Sequence, residues 1–208
     1  MKRPLATVSG FFVIILYCTF TLIAWIFYPN DFAPWTHYLS RLGNFNYSPL
    51  GAYFYNIGCI LTGVALIPFF IGLFKWYSDN HIAKGVLILG QIVGICAAFA
   101  LVFIGVFSED QGTPHLTASS TFFVLNFIVL VLVNIALIFH DRFVKVIGFY
   151  GFIMTFLSLP LEILLGGPLV EWYTVFGALI FVGLLSFNTM IMDSRGQKRD
   201  MIIPNMSE

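Results

Sequence analysis

The sequence predicts an all-α polytopic membrane protein, a bundle of six transmembrane helices with both termini in the cytoplasm. Three observations predict it. Hydrophobic residues make up 59% of the chain and charged residues only 10%, against about a quarter charged in ordinary soluble domains. Six apolar runs each reach the roughly 20 residues that a helix needs to cross a hydrocarbon core. The basic residues are sorted to one side of those runs.

The runs are Leu5–Phe27, Leu50–Phe74, Gly85–Phe107, Leu116–Phe139, Phe143–Leu165 and Leu169–Met192. Lipid offers no partner to a backbone amide, so each run must satisfy its own hydrogen bonds as a helix. The first follows Met1-Lys2-Arg3 and mimics a signal peptide. It outlasts the roughly 7–15 residues of a signal core, and no small-residue cleavage site closes it. It is read as a retained span. Residues 1–192 form one membrane domain, and 193–208 a polar cytoplasmic tail, expected to be disordered, with Met201-Ile202-Ile203 touching the membrane.

Charge sets the orientation. Lys2, Arg3, Lys75, Lys84, Arg142, Lys145, Arg195, Lys198 and Arg199 fall on one side, and Arg41 alone on the other. Such an excess marks the cytoplasmic face, here of the cell membrane. The connections 28–49, 108–115 and 166–171 then face outward. Trp25, Trp35 and Trp172 near the outer boundary and Trp76 at the inner one suit an interfacial aromatic belt. No charge run suggests a nucleic-acid partner. Cys18, Cys59 and Cys96 sit in apolar runs without metal-ligand or disulfide spacing, and no motif calls for a metal or a cofactor.

Function is sought on the outer side, where Asp31, His37, Ser40, Arg41, Glu109, Asp110, His115, Glu162 and Glu171 collect. Ionisable groups at membrane depth are costly and turn toward a bundle interior or a wet cavity. In the first loop, Pro34–Leu42 is expected to form a short interfacial helix, with Pro early and Gly43 as its stop. Such a helix puts His37, Ser40 and Arg41 on one face and turns Trp35, Tyr38 and Leu42 toward lipid. His115, Ser119 and Asn126 share one face of the fourth span, and Tyr53 and Asn56 lie three apart in the second. Glu162 follows Pro160, which frees a carbonyl and kinks the fifth helix. Arg41 is the one outward base, so a pair with Glu162 or Asp110 is the structural explanation for these charges. No Gly-x-Ser-x-Gly elbow or His-Glu-x-x-His motif is present.

Two segments carry a resemblance. One runs from Tyr28-Pro29 through His37-Tyr-Leu-Ser-Arg-Leu-Gly43 to Pro49 and on to Phe54, Asn56 and Gly58. The other is Gly105-Val-Phe107-Ser-Glu-Asp110, followed by His115 and Phe122-Phe123. Together they resemble the prokaryotic membrane-protein family catalogued as domain of unknown function 998, and more distantly the eukaryotic Frag/DRAM/Sfk group. The matching positions are Ser40, Gly43, Pro49, Phe107 and His115. Arg41 stands where the eukaryotic pattern commonly has an acid. The resemblance implies a fold and an association with lipid, without a reaction to carry over.

The leading expectation is a lipid-handling protein, binding or modifying membrane lipids through an outward polar pocket. Arg41 and Ser40 would hold a lipid phosphate. His37 or His115 would act as general base, oriented by Asp110 or Glu162. Tyr53, Asn56, Ser119 and Asn126 would line the pocket. A transporter of a small or apolar solute is one alternative, with Gln91, Asn134 and Asn188 as sparse polar groups deeper in the spans. A non-catalytic assembly or sensor component is another.

Overall fold

In the computed structural model the backbone is described over residues 3–202, and the side chains over residues 3–194 apart from Leu159. Six helices account for most of it: α1 (Leu5–Ile26), α2 (Pro49–Gly72), α3 (His81–Val106), α4 (Thr113–Ile138), α5 (Lys145–Leu164) and α6 (Pro168–Ile202). Each contains a segment long and apolar enough to cross a membrane, in α6 over Pro168–Ser194.

Local chemistry moves several ends away from the apolar runs. Asn80 Oδ1 accepts the Ile82 and Ala83 amides at 2.9 and 3.2 Å, so α3 starts four residues before its predicted span. Gly112 takes a positive φ of 70°, and Pro114 suits the first turn of α4 behind it. α5 runs on through Pro160. α6 continues into the predicted tail as far as Ile202, because an established helix gains one backbone bond per added residue. Residues 203–208 lie outside the described part.

Helices adjacent in sequence pack together, and α6 closes the ring against α1. Among lipid tails apolarity gives no inward direction, so small and hydroxyl residues set the contacts. α1 accordingly buries Ala6, Thr7, Gly10, Val13, Tyr17, Thr21 and Ala24. Between α2 and α3 the approach is closest at Gly105, where a Cβ would run into the Asn56 carbonyl. Large apolar side chains such as Phe12, Ile15, Ile92, Phe103 and Ile153 point outward.

The bundle has two distinct ends. The end carrying both chain termini is tied by Lys75 Nζ–Asp193 Oδ1 at 3.7 Å and by Thr7 Oγ1 donating to the Ser186 carbonyl at 3.2 Å. Trp76, expected in an interfacial belt, is buried there instead and donates from Nε1 to Thr189 Oγ1 at 2.9 Å. Its indole N–H finds a better partner between helices than at a lipid boundary. Trp172 is likewise buried, whereas Trp35 is exposed.

The opposite end, here the loop end, carries the first connection. Pro34–Leu42 is not one helix. An α-turn joins the His37 amide to the Ala33 carbonyl at 2.9 Å, Tyr38 is extended, and a 3-10 turn follows over Leu39–Gly43. Leu42, expected to face lipid, is fully buried beside Leu39. The break at Tyr38 redirects the apolar residues after it into the bundle.

The deeper polar residues brace the helices. Gln91 Nε2 donates to the Phe70 carbonyl at 2.8 Å while its Oε1 accepts from Tyr77 Oη at 2.7 Å. Asn188 Oδ1 accepts the Val144 amide at 3.0 Å, whereas Asn134 Nδ2 bonds within its own helix to the Leu130 carbonyl and its buried Oδ1 has no hydrogen-bond partner in the protein.

Candidate functional site

The first loop and the last helix meet at Glu171, in the first turn of α6. Its Oε2 accepts the Leu39 amide at 2.7 Å, and the Ser40 amide also reaches the carboxylate. The neighbouring Trp172 donates from Nε1 to the His37 carbonyl at 2.9 Å. Both contacts use main-chain groups of the loop, so they hold its path whatever its side chains do.

Ser40 and Glu171 lie at the loop end of a partly open cavity of about 80 Å³. That is room for several water-sized spheres. Its walls come from α1, α2, α3, α4 and α6, and no described residue of α5 lines it. Just inside stand Tyr17 and Tyr55, their hydroxyl oxygens 3.4 Å apart, and Ser119. Thr62 and Asn126 line the cavity about two turns deeper on α2 and α4. Thr62 Oγ1 is buried and has no hydrogen-bond partner in the protein. Beyond them the walls are apolar, with Phe69, Phe70, Leu73, Val133 and Phe181. Along α2 its lining residues are Tyr55, Thr62, Leu66, Phe69 and Phe70, and Leu73 follows in the 3-10 turn after the helix.

Behind Ser119 lies His115, buried at 3% exposure. Its Nδ1 is 2.7 Å from the Phe107 carbonyl. A carbonyl only accepts, so Nδ1 carries the proton and Nε2 offers a lone pair. Ser119 Oγ, one helical turn on, donates to that lone pair at 3.3 Å. A serine bonded to an imidazole whose other nitrogen is fixed is the minimal arrangement for activating a hydroxyl.

The remaining predicted residues are placed around the site. Arg41 pairs through Nε with Glu109 Oε1 at 3.4 Å and lies over the Tyr47 ring, 4.4 Å from its centroid. Its partner is thus neither Glu162 nor Asp110. Glu109 also accepts from Asn44 Nδ2. Asp110 Oδ1 accepts the Phe45 amide at 3.2 Å. Partial burial pushes the Asp110 carboxyl up, but hydrogen bonds from Phe45, Ser108 and its own amide, with His115 nearby, outweigh it and hold it below the usual carboxylate range. His37 stacks on Phe32, ring centroids 5.1 Å apart, and bonds Thr36 Oγ1 at 2.8 Å through Nδ1.

Asn56 is buried and donates to the Gly43 carbonyl at 3.0 Å. Tyr53 faces outward at 59% exposure against Phe45, and Tyr55 takes the inward position expected of it. Glu162 is exposed on α5, no described residue of which lines the cavity. The structure therefore gathers Ser40, Ser119 and Asn126 at the cavity with His115 behind them. It uses His37, Arg41, Asp110 and Asn56 in the loop framework and turns Tyr53 and Glu162 away.

Four polar cavity residues had no predicted site role: Glu171, Tyr17, Tyr55 and Thr62. An acid in the first turn of a helix is usually explained by the macrodipole, which masks Glu171. Tyr17 belongs to the small-and-polar face of α1, and that periodicity is the signal for it. Among the described residues no three His, Cys, Asp or Glu side chains gather as a metal site would require.

Six helices long and apolar enough to cross a membrane define a multi-pass helical membrane protein. The family can also be named. The model for "Protein of unknown function (DUF998)" matches residues 11–192, and the chain belongs to that family. No curated protein and no solved structure matches it.

Proposed function

We propose that this protein binds a membrane amphiphile, with the apolar tail along the cavity and the polar head at the Ser40–Glu171 end. One observation carries the reading: the loop-end side of the cavity is lined by Ser40, Tyr17, Tyr55, Ser119 and Glu171, and its far side by apolar side chains. Apolar walls favour an apolar occupant, and in a bilayer the abundant slender occupants are lipid chains. On the basic-residue asymmetry we place the loop end outside the cell and both termini in the cytoplasm. Exposed Trp35 and Tyr38 then lie in the headgroup layer. Arg41 is already neutralised by Glu109, so a phosphate held by Arg41 and Ser40 is the less favoured headgroup contact.

Native mass spectrometry of protein purified in mild detergent tests this. The wild type should retain a bound amphiphile. Ala178→Trp, which fills the cavity from α6, should lower its occupancy at least about tenfold, or ~1.4 kcal/mol of binding. A wild type that carries none and takes none from added lipid overturns the reading.

A second reading, lipid modification, is favoured by the Ser119–His115 pair. Ser119 Oγ would attack a lipid ester carbonyl while its proton passes to His115 Nε2. Collapse of the adduct breaks the ester bond, and the leaving alcohol takes that proton. Water then cleaves the acyl-serine to a carboxylic acid and restores Ser119. Labelling by a fluorophosphonate in the wild type but not in Ser119→Ala supports it, and an unlabelled wild type removes it. Transport gains less support, because Gln91 and Asn188 are bonded to neighbouring groups between helices.

A further inference from the structure

Glu171 lines the cavity and receives hydrogen bonds from the Leu39 and Ser40 amides. Among the described residues, none of the ion pairs includes it. The one basic side chain of the loop end, Arg41, is engaged by Glu109. The titratable groups facing Glu171 are Tyr17, Tyr55, Cys59 and Glu109, from α1, α2 and the α3–α4 connection. All are acids or neutral. Glu171 is half-buried and lines the cavity, and a carboxylate withdrawn from water gains from a counter-cation. Ser40, Tyr17, Tyr55 and Ser119, which line the same part of the cavity, carry hydroxyls. A carboxylate with several hydroxyl acceptors matches an ammonium group, which has three donors and no acceptor.

Resting on the amphiphile reading, we propose that Glu171 binds the ammonium head of a long-chain amine whose tail follows the cavity. Ser40, Tyr17 and Tyr55 take the remaining N–H donors. Thr62, with its unpartnered hydroxyl, meets a polar substituent further along the chain.

The experiment loads the full chain in nanodiscs with hexadecylamine, hexadecanol or palmitate at neutral pH and reads bound ligand by native mass spectrometry. The amine is expected to bind at least about tenfold more tightly than the alcohol, a difference of ~1.4 kcal/mol, with palmitate weakest. Glu171→Gln should abolish the preference, and Glu171→Asp, which keeps the charge, should retain it. If the glutamine variant does not fold, the wild-type ranking still decides. Amine and alcohol bound equally would overturn this proposal and leave amphiphile binding intact. None of the three bound, with no endogenous lipid retained, would overturn both. Persistence of the preference in Glu171→Gln would place the ammonium elsewhere and also overturn the assignment.

Discussion

Glu171 and Leu39 stand 132 residues apart in the chain and 2.7 Å apart in space, carboxylate to amide. That bond fixes the first loop across the mouth of the cavity. Leu39 and Leu42 reach the core only because the loop is held in this path.

Replacing Glu171 with Ala leaves the Leu39 and Ser40 amides without their acceptor. The expected loss is about 1–3 kcal/mol of stability, the cost of unsatisfied buried groups. Hydrogen exchange should accelerate at Leu39 and Ser40 well before it changes in the middle of α2. Unchanged exchange at both amides would mean that the carboxylate does not hold the loop.

His115→Ala removes the donor to the Phe107 carbonyl and opens a void at the start of α4. A loss of about 1–3 kcal/mol is expected. Ser119→Ala keeps that donor and should cost under about 1 kcal/mol, the net value of one neutral hydrogen bond. Thermal unfolding in detergent compares them, and equal losses would contradict the geometry.

Asp110 supplies a pH dependence. Its carboxyl sits below the usual range in the folded state, so the folded state prefers the charged form. The resulting stabilisation is complete above the ordinary carboxylate value of about 4 and disappears as the pH falls through the lower folded-state value. The stability advantage of wild type over Asp110→Asn should therefore be largest near neutrality and shrink below about pH 4. A gap that widens in acid would reverse the assignment.

Gly105→Ala places a Cβ against the Asn56 carbonyl across the α2–α3 contact. Backbone cannot move aside cheaply, so a loss of at least about 1–3 kcal/mol is expected. Gly85→Ala, near the start of α3, meets nothing within 4 Å and should gain up to about 1 kcal/mol from helix propensity. Similar behaviour of the two variants would argue against the close approach.

Much of the architecture was legible because hydropathy and length specify membrane helices almost independently of tertiary contacts. What hydropathy does not encode is which face turns inward. Trp76 and Trp172 read as belt residues from their positions, yet both are buried, Trp76 bonded to Thr189 of α6 and Trp172 to the main chain of the first loop. Tyr53 and Tyr55 are two apart on one helix and so point in different directions, and the choice between them rests on α1 placing Tyr17 opposite Tyr55. The His115–Ser119 pair was readable from its one-turn spacing. Arg41 finding Glu109 was not, since that pairing depends on how the first loop folds after Tyr38. Glu162 looked embedded because its neighbours are apolar, but it is exposed on α5, no described residue of which lines the cavity.

The most direct test of the central claim uses a bifunctional single-chain lipid with a photoreactive diazirine at the tail terminus. After illumination of the wild-type protein in nanodiscs, crosslinked peptides are mapped by mass spectrometry. If the tail lies in the cavity, the label falls on its deep wall, at Phe70, Leu73, Val133 or Phe181, and Ala178→Trp suppresses it. Labelling confined to outward-facing residues such as Ile92, Phe103 or Ile180, unaffected by the filled cavity, would show that lipid touches only the outside of the bundle and would contradict the account.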